Sequence, residues 1–439
     1  MKINFIAIFI FISEVLYAQS NEYSLSRCIE IVHKNISSQI AQNKVRVAKK
    51  ELVVTKDSFL PSLALSNQHN LSTGRVLDPT TYQFLTNRTV YDMNASIGGS
   101  MTLFSGLDRV HRVMRAALNV RTAELDVEKT KNELTLEVTR LFLKTLMDKE
   151  AIQICENKVA LLEKQEEIIC KKVEYQSATQ GDLMKVQADI MRAQVDCASA
   201  RNELSLDKVS MCELLEINDW EHFDVTFDMG MVEPRFWSAS DVLANATGLP
   251  QIRQKEIAVE QAKRDVIIAS ASYWPTIKLN AGYGSTFSNA RKRTTGEGYN
   301  FYDQMRENMN SYVTLSLSIP ILSAITVSHT AKAKRYAVRS SELELQKALV
   351  SLDKEVKQAI VQVNTAFEKY QLLAKEVEKS TEALRQTDAK YAAGAATYYD
   401  YQIAVGNLFQ AQAEQLRARY EYIYRMKIME FYSIGANLF

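Results

Sequence analysis

The sequence predicts a mainly α-helical protein that also carries membrane β-strands. Long helical hairpins and four short strands per chain are set out as an internal two-fold repeat. Three observations predict this class. Glycine (14) and proline (6) are scarce in 439 residues, about 5% together where ~12% is usual, so few turns separate long elements. One order of elements occurs twice along the chain. Apolar residues in the last third step by four and three over about seven heptads.

The chain opens on Lys2, a short apolar run and a small residue at Ala18. This pattern predicts a secretory signal peptide over 1–18. The run is too short for a membrane-spanning helix of ~20 residues, and no later window holds ~18 apolar residues in a row. Cys28 is too far downstream to carry a lipid anchor. The mature chain is expected to be exported and, if it enters a membrane, to do so by strands, whose signal is weaker.

The repeat is anchored by Phe59-Leu60-Pro61-Ser62-Leu63 and its counterpart Tyr273-Trp274-Pro275-Thr276-Ile277. Ahead of each lies a helical segment with the pair Ala48-Lys49 or Ala262-Lys263. Two alternating runs follow, the second ending at Leu103-Phe104-Ser105-Gly106 or Pro320-Ile321-Leu322-Ser323. A very long helix, a break near 175–181 or 391–397, and another long helix close each copy. The expected division is 19–215 for the first repeat, 216–236 for a connecting segment with Trp220 and Pro234, and 237–439 for the second repeat.

The strands rest on period-two alternation. Val313, Leu315, Leu317 and Ile319 take one face and Thr314, Ser316 and Ser318 the other. Ile277, Leu279, Ala281 and Tyr283 alternate with Lys278, Asn280, Gly282 and Gly284, and Ile97, Gly99, Met101 and Leu103 with Gly98, Ser100 and Thr102. Leu63, Leu65 and Leu71 form a weaker run, with Asn67 and His69 on their face. Each run is ~9–11 residues, the length that crosses a membrane. The loops 73–92 and 288–309 are expected to face outside, the second carrying Arg291-Lys292-Arg293.

The helices are read from heptads. Leu345, Leu349, Leu352, Val356, Ala359, Val363, Ala366, Tyr370, Leu373 and Val377 continue to Leu384 and Tyr391. Ile152, Cys155, Val159, Leu162, Ile169 and Val173 keep the spacing in the first copy, with a break at Glu166. No proline interrupts either stretch. At 1.5 Å per residue a ~70-residue helix spans about 100 Å and must pack along partner helices.

Lys and Arg (53) balance Asp and Glu (52), which excludes a bulk nucleic-acid binder. The five cysteines, Cys28, Cys155, Cys170, Cys197 and Cys212, form no C-x-x-C and are expected to serve as small apolar side chains, with a disulfide the less favoured alternative in an oxidising compartment. The five histidines show no metal-ligand spacing. No G-x-S-x-G, H-E-x-x-H or phosphate loop is present. The sequence therefore points to no enzyme, no metal and no cofactor.

Four strands cannot close a barrel, and an open sheet edge cannot face lipid. Several chains must then share one barrel. Two chains give eight strands with a filled interior, and three give twelve strands with a lumen. The other reading is a soluble periplasmic coiled-coil scaffold or adaptor.

The paired strand entries, Leu103-Phe104-Ser105-Gly106, and Tyr391-x-x-Gly394-x-x-Thr397-Tyr398-x-Asp400 before a helix resemble the TolC family, in that family's order over the mature chain. The resemblance implies a passive outer-membrane channel for efflux or type I secretion. It implies a homotrimer with a shared twelve-stranded β-barrel in outer-membrane lipid and a periplasmic α-barrel of helical hairpins. The implied partners are a periplasmic adaptor (membrane fusion protein) and an inner-membrane transporter of the RND, ABC or MFS type, with no nucleic acid.

The same resemblance implies a gate at the helix tips. Tyr391 matches a linking tyrosine and Asp400 a gate aspartate; a carboxylate ring on a threefold axis favours cations. Read without the resemblance, Asp400 is a helix-start cap. Ile403, Ala396, Leu183 and Met184 depart from the polar partners found in the family. The gate is expected to be held instead by packing of Tyr398, Tyr399 and Tyr401. The tips, Ala178, Thr179, Gln180, Gly181 and Asp182 with Gly394, Ala395, Ala396 and Thr397, are the implied adaptor contacts. Gly394 suits a reversal needing φ > 0, and Ala178 is expected in the matching place.

Overall fold

The computed structural model describes residues 22–77, 82–226, 235, 237–291 and 298–434. The leader expected over 1–18, with Lys292 and Arg293, lies outside the described residues. A short strand β1 (Glu22–Tyr23) and helices α1 (Leu25–Val32) and α2 (Ile36–Asp57) lead into strands β2 (Ser62–Leu77) and β3 (Phe84–Ser105). Helices α3 (Asp108–Glu174) and α4 (Gln180–Leu215) follow, then β4 (Asp224–Val225), α5 (Ala239–Ala246) and α6 (Pro250–Ala271). The chain continues with β5 (Thr276–Ser288), α7 (Phe301–Glu307), β6 (Asn310–Ser318), α8 (Ser323–Ala392) and α9 (Tyr398–Ile434). The series α2, β2, β3, α3, α4 is thus answered by α6, β5, β6, α8, α9. Two compact units each draw on both halves. One comprises Ala41–Asp126 and Pro250–Leu349; the other comprises Met1–Ile40, Val127–Leu249 and Val350–Phe439.

The first unit holds an antiparallel sheet in the order β2-β3-β5-β6. Residues directly opposite in such a sheet share a face, and the register sorts the faces by polarity. Leu65 lies opposite Ile97, which lies opposite Tyr283. Leu279 lies opposite both Met101 and Leu315. The alternate rows are polar: Ser62, Ser100, Asn280 and Thr314 line up across all four strands. Leu63, Leu65, Val313, Leu315 and Leu317 are exposed in the single chain.

The strands are unequal: 16 residues in β2, 22 in β3, 13 in β5 and 9 in β6. The expectation of four equal runs is corrected here, and so is the loop placed at 73–92. The β2–β3 ladder runs on to Leu77 opposite Phe84, whereas β3 pairs with β5 only from Asp92 onward. Beyond Asp92 the ribbon has two strands and, apart from the buried Val90, leaves Leu71, Leu77 and Phe84 exposed, so alternation no longer marks it. In the second loop α7 folds back on β5. Gln304, fully buried, accepts from the Ser288 amide and donates to its carbonyl.

Gly106 at the β3–α3 junction has φ +64°, and a Cβ there would stand 2.5 Å from the Ala271 carbonyl oxygen and 2.7 Å from Trp274 Cβ. This close approach requires glycine at the end of the Leu103-to-Gly106 run.

The second unit is helical. Its core joins Leu25, Ile29 and Val32 of α1 to Val138 and Phe142 of α3, Met211 and Leu215 of α4, and Tyr420 and Ile423 of α9. Part of the expected connecting segment enters this core: Phe223 and Val225 are buried, and β4 pairs in parallel with β1. The α8 seam is buried at Leu352, Val356, Ala359, Val363, Ala366 and Leu373, as its heptad spacing requires.

For one pair of cysteines the less favoured alternative holds. Cys155 of α3 and Cys197 of α4 form a disulfide, with Cα atoms 5.5 Å apart, inside the range a bridge accepts. Cys28 and Cys212 do behave as apolar side chains: burial pushes their thiols up to about 12 and about 11. Cys170 is exposed.

Candidate gate and hairpin tips

Both hairpin tips belong to the helical unit and use one backbone device. The Ser177 amide donates to the Lys172 carbonyl at 2.7 Å, and the Ala395 amide to the Lys390 carbonyl at 2.8 Å. Each closes a turn around a residue in the left-handed region, Gln176 (φ 57°) and Gly394 (φ 77°). Gln176, not Ala178, is therefore the counterpart of Gly394. The two turns align on their helix caps, Thr179 and Thr397, and three residues back from each lie Gln176 and Gly394. The first copy tolerates a side chain where the second uses glycine.

Each second helix starts with a reciprocal Thr/Asp cap. The Asp182 amide donates to Thr179 Oγ1 at 3.2 Å, and the Thr179 hydroxyl donates to the Asp182 carboxylate at 2.6 Å. In the second copy the Asp400 amide donates to Thr397 Oγ1 at 3.2 Å. Asp400 in turn accepts from the Thr397 amide at 2.9 Å and its hydroxyl at 2.7 Å. The cap reading of Asp400 thus has its geometry. Hydrogen bonds from the Thr397 hydroxyl and amide hold the Asp400 carboxyl below its usual range, and those from Thr179 do the same for Asp182. Asp400 is exposed and stays ionised wherever ordinary carboxylates do.

Tyr391, at the end of α8, meets Tyr398 and Tyr401 on the first turn of α9, with ring centroids 5.7 to 6.4 Å apart. Burial raises all three phenols, Tyr401 to about 12. They remain neutral hydrogen-bond donors at any physiological pH. Tyr399 does not join them. It is 68% exposed, because one residue along a helix turns about 100° away from the face that Tyr398, Tyr401 and Val405 share.

The polar links across the two hairpins come from residues that the sequence reading missed. Asp189 of α4 accepts from the Tyr398 hydroxyl at 3.1 Å and from Gln402 Nε2 at 2.6 Å. Gln165 of α3, buried, lies beside the Tyr391 side chain, and its Nε2 has no hydrogen-bond partner. The Lys172 ammonium sits 4.2 Å from the Tyr391 ring centroid, a cation–π contact. Glu166, where the α3 seam breaks, is instead paired with Gln187 of α4 at 2.8 Å. Leu183 packs on the tyrosine cluster, while Met184 and Ile403 are exposed.

Asp189→Ala would strand the Tyr398 hydroxyl in a site where the residue is 7% exposed. An unpaired buried group costs about 1–3 kcal/mol. Amide exchange over 398–405 is expected to rise roughly 5- to 150-fold. Unchanged exchange would mean that the link holds nothing.

Among known proteins, residues 240–425 match the family described as outer membrane efflux protein. Outer membrane protein TolC of Vibrio cholerae is 22% identical over 318 residues, covering 70% of this chain and 69% of that protein. The alkaline protease secretion protein AprF of Pseudomonas aeruginosa is 23% identical over 390 residues, covering 86% and 77%. The crystal structure of the outer membrane protein VceC from Vibrio cholerae superposes with a TM-score of 0.77 at 13% identity, covering 94% of this chain and 96% of that one.

Proposed function

We propose, from the premise that this chain is a TolC-type outer-membrane channel protein for efflux or type I secretion, that three copies close one twelve-stranded barrel around water. The observation that carries the trimer is the sheet. It has four strands, its outer strands β2 and β6 have one partner each among the described residues, and its two faces are sorted by polarity. Unpaired backbone cannot face lipid. A neighbouring copy's β6 beside β2 satisfies both edges, and three repetitions close the ring with the Ser, Asn and Thr rows inside.

A soluble scaffold would have to cover the apolar rows with its own helices, and Leu63, Leu65, Val313 and Leu315 stay exposed. Channels of this family are transport proteins that work with adaptor and inner-membrane partners. The finer reading is a passive duct whose exposed tips, Thr179 to Gly181 and Gly394 to Thr397, dock on a periplasmic adaptor, with an inner-membrane transporter supplying the energy. Its gate is the tyrosine cluster tied to Asp189, with Asp400 as the charged ring.

The mass of the detergent-solubilised protein tests this. Three copies in one particle, migrating anomalously until heated, are expected. A monodisperse monomer would overturn the shared barrel.

The gate has its own test. Asp400→Asn keeps an acceptor for Thr397 and removes the charge. Cation selectivity of the channel in a planar bilayer is expected to fall. Selectivity unchanged from the parent would place Asp400 away from the constriction and leave it only the cap.

A further inference from the structure

Inside the α3–α4 hairpin, one heptad from the disulfide on α3, two carboxyl groups are buried together. Asp148 and Asp207 are each 5% exposed. Lys144 Nζ donates to Asp207 Oδ1 at 2.6 Å. The Oδ2 atoms of both aspartates are buried and have no hydrogen-bond partner. The two carboxyl groups are within hydrogen-bonding reach of each other, so two acceptors meet with no donor between them. One lysine serves two carboxylates, and a buried, unpaired carboxylate is costly.

We propose that Asp148 and Asp207 share one proton, forming a clasp that fastens α3 to α4 in mildly acid conditions and slackens as the pH rises. A proton shared by the pair supplies the missing donor and removes one of the two adjacent negative charges.

The surroundings favour this state. Burial, then the Asp207 side chain and its charge, push the Asp148 carboxyl up to about 7, with Lys144 opposing and Glu203 of α4 adding to the rise. Arg140 of α3, paired with Glu137, also acts electrostatically on Asp207 and, like Lys144, favours its ionised form. The other charges near this stretch of α3 are engaged elsewhere. Glu150 takes Arg419 and Tyr420 of α9, and Lys149 takes Asp224.

The direction follows from where the proton is held. A closed hairpin keeps it to about pH 7, whereas an opened segment releases it in the ordinary carboxylate range. Closure gains from the proton at low pH, and that gain is lost as the pH rises through about 7.

Hydrogen exchange on the detergent-solubilised full chain tests the proposal, with rates corrected for the intrinsic pH dependence of exchange. Between pH 5 and 7, opening of the segments 141–151 and 203–211 is expected to rise about tenfold per pH unit, roughly 100-fold in all, then level off. Asp148→Asn supplies a permanent donor of the same shape and is expected to flatten the profile at the protected level. Asp207→Asn leaves Asp148 with Lys144 and only the smaller effect of Glu203 opposing it, and is expected to move the bend to lower pH. A flat profile in the parent protein, or an equally steep one in Asp148→Asn, would overturn the shared proton.

Discussion

Leu315→Arg is expected to abolish outer-membrane assembly, whereas Thr314→Arg, one residue away, is expected to leave it nearly intact. Leu315 is 66% exposed in the single chain and lies opposite Leu279. It shares its face with Val313 and Leu317, and in the proposed barrel that face meets lipid. An arginine at the bilayer midplane costs about 2–4 kcal/mol. Three copies repeat the cost, about 6–12 kcal/mol per trimer, comparable with the whole stability of a typical domain. Thr314 lies opposite Asn280 on the other face, where an arginine meets water. The amount of heat-modifiable trimer in the outer-membrane fraction is the measurement. Equal loss from both variants would mean that β6 is not two-faced in the membrane. Loss from Thr314→Arg alone would mean that the sheet is turned inside out.

The same sheet shows what the sequence could and could not reveal. Alternation is visible only where one face is kept from water. It therefore identified Ile277 to Tyr283 and Val313 to Ile319 but stopped short on β2 and β3. His69 disturbed the apolar row of β2 because its Nδ1 bonds the Tyr91 hydroxyl at 2.6 Å, near the point where β5 stops pairing with β3. The α8 seam was legible from Leu352 to Leu373 because a heptad is a local, repeated signal, while Leu349, at the same spacing, is exposed.

The gate was half legible. Tyr391, Tyr398 and Tyr401 stand at helical spacing around a turn, so their meeting follows from local rules. Asp189 and Gln165 do not, because their contacts cross between hairpins and depend on how one hairpin is set against the other. One trace of Gln165 was available. It stands at seam spacing between Leu162 and Ile169, and a polar residue there must find a partner or pay its desolvation.

Replacing Cys155 and Cys197 together by serine is expected to destabilise the α3–α4 hairpin by about 4 kcal/mol, the loop-closure value for a bridge spanning 42 residues. The pairing itself was open to a sequence argument: the two cysteines stand equally far from Gln176, the apex of the hairpin. In an antiparallel hairpin, residues equidistant from the apex face one another, and an exported chain reaches a compartment where such thiols oxidise. The bridge fixes the axial register of α4 against α3 over the stretch that also carries the Lys144–Asp207 pair and, nearer the tip, Asp189. Without it, α4 can slide, and Asp189 would no longer be set opposite Tyr398 and Gln402. Two effects are therefore expected together. The urea midpoint of the hairpin should fall, and exchange over 398–405 should rise even though the mutated residues touch none of those side chains. Reduction with dithiothreitol should reproduce both in the parent protein and change nothing in the double serine variant. If the variant unfolds at the parent's urea midpoint, the bridge constrains nothing that packing does not already fix. If stability falls while exchange at 398–405 is unmoved, the register of α4 is set by its own seam and the tyrosine link does not depend on the bridge.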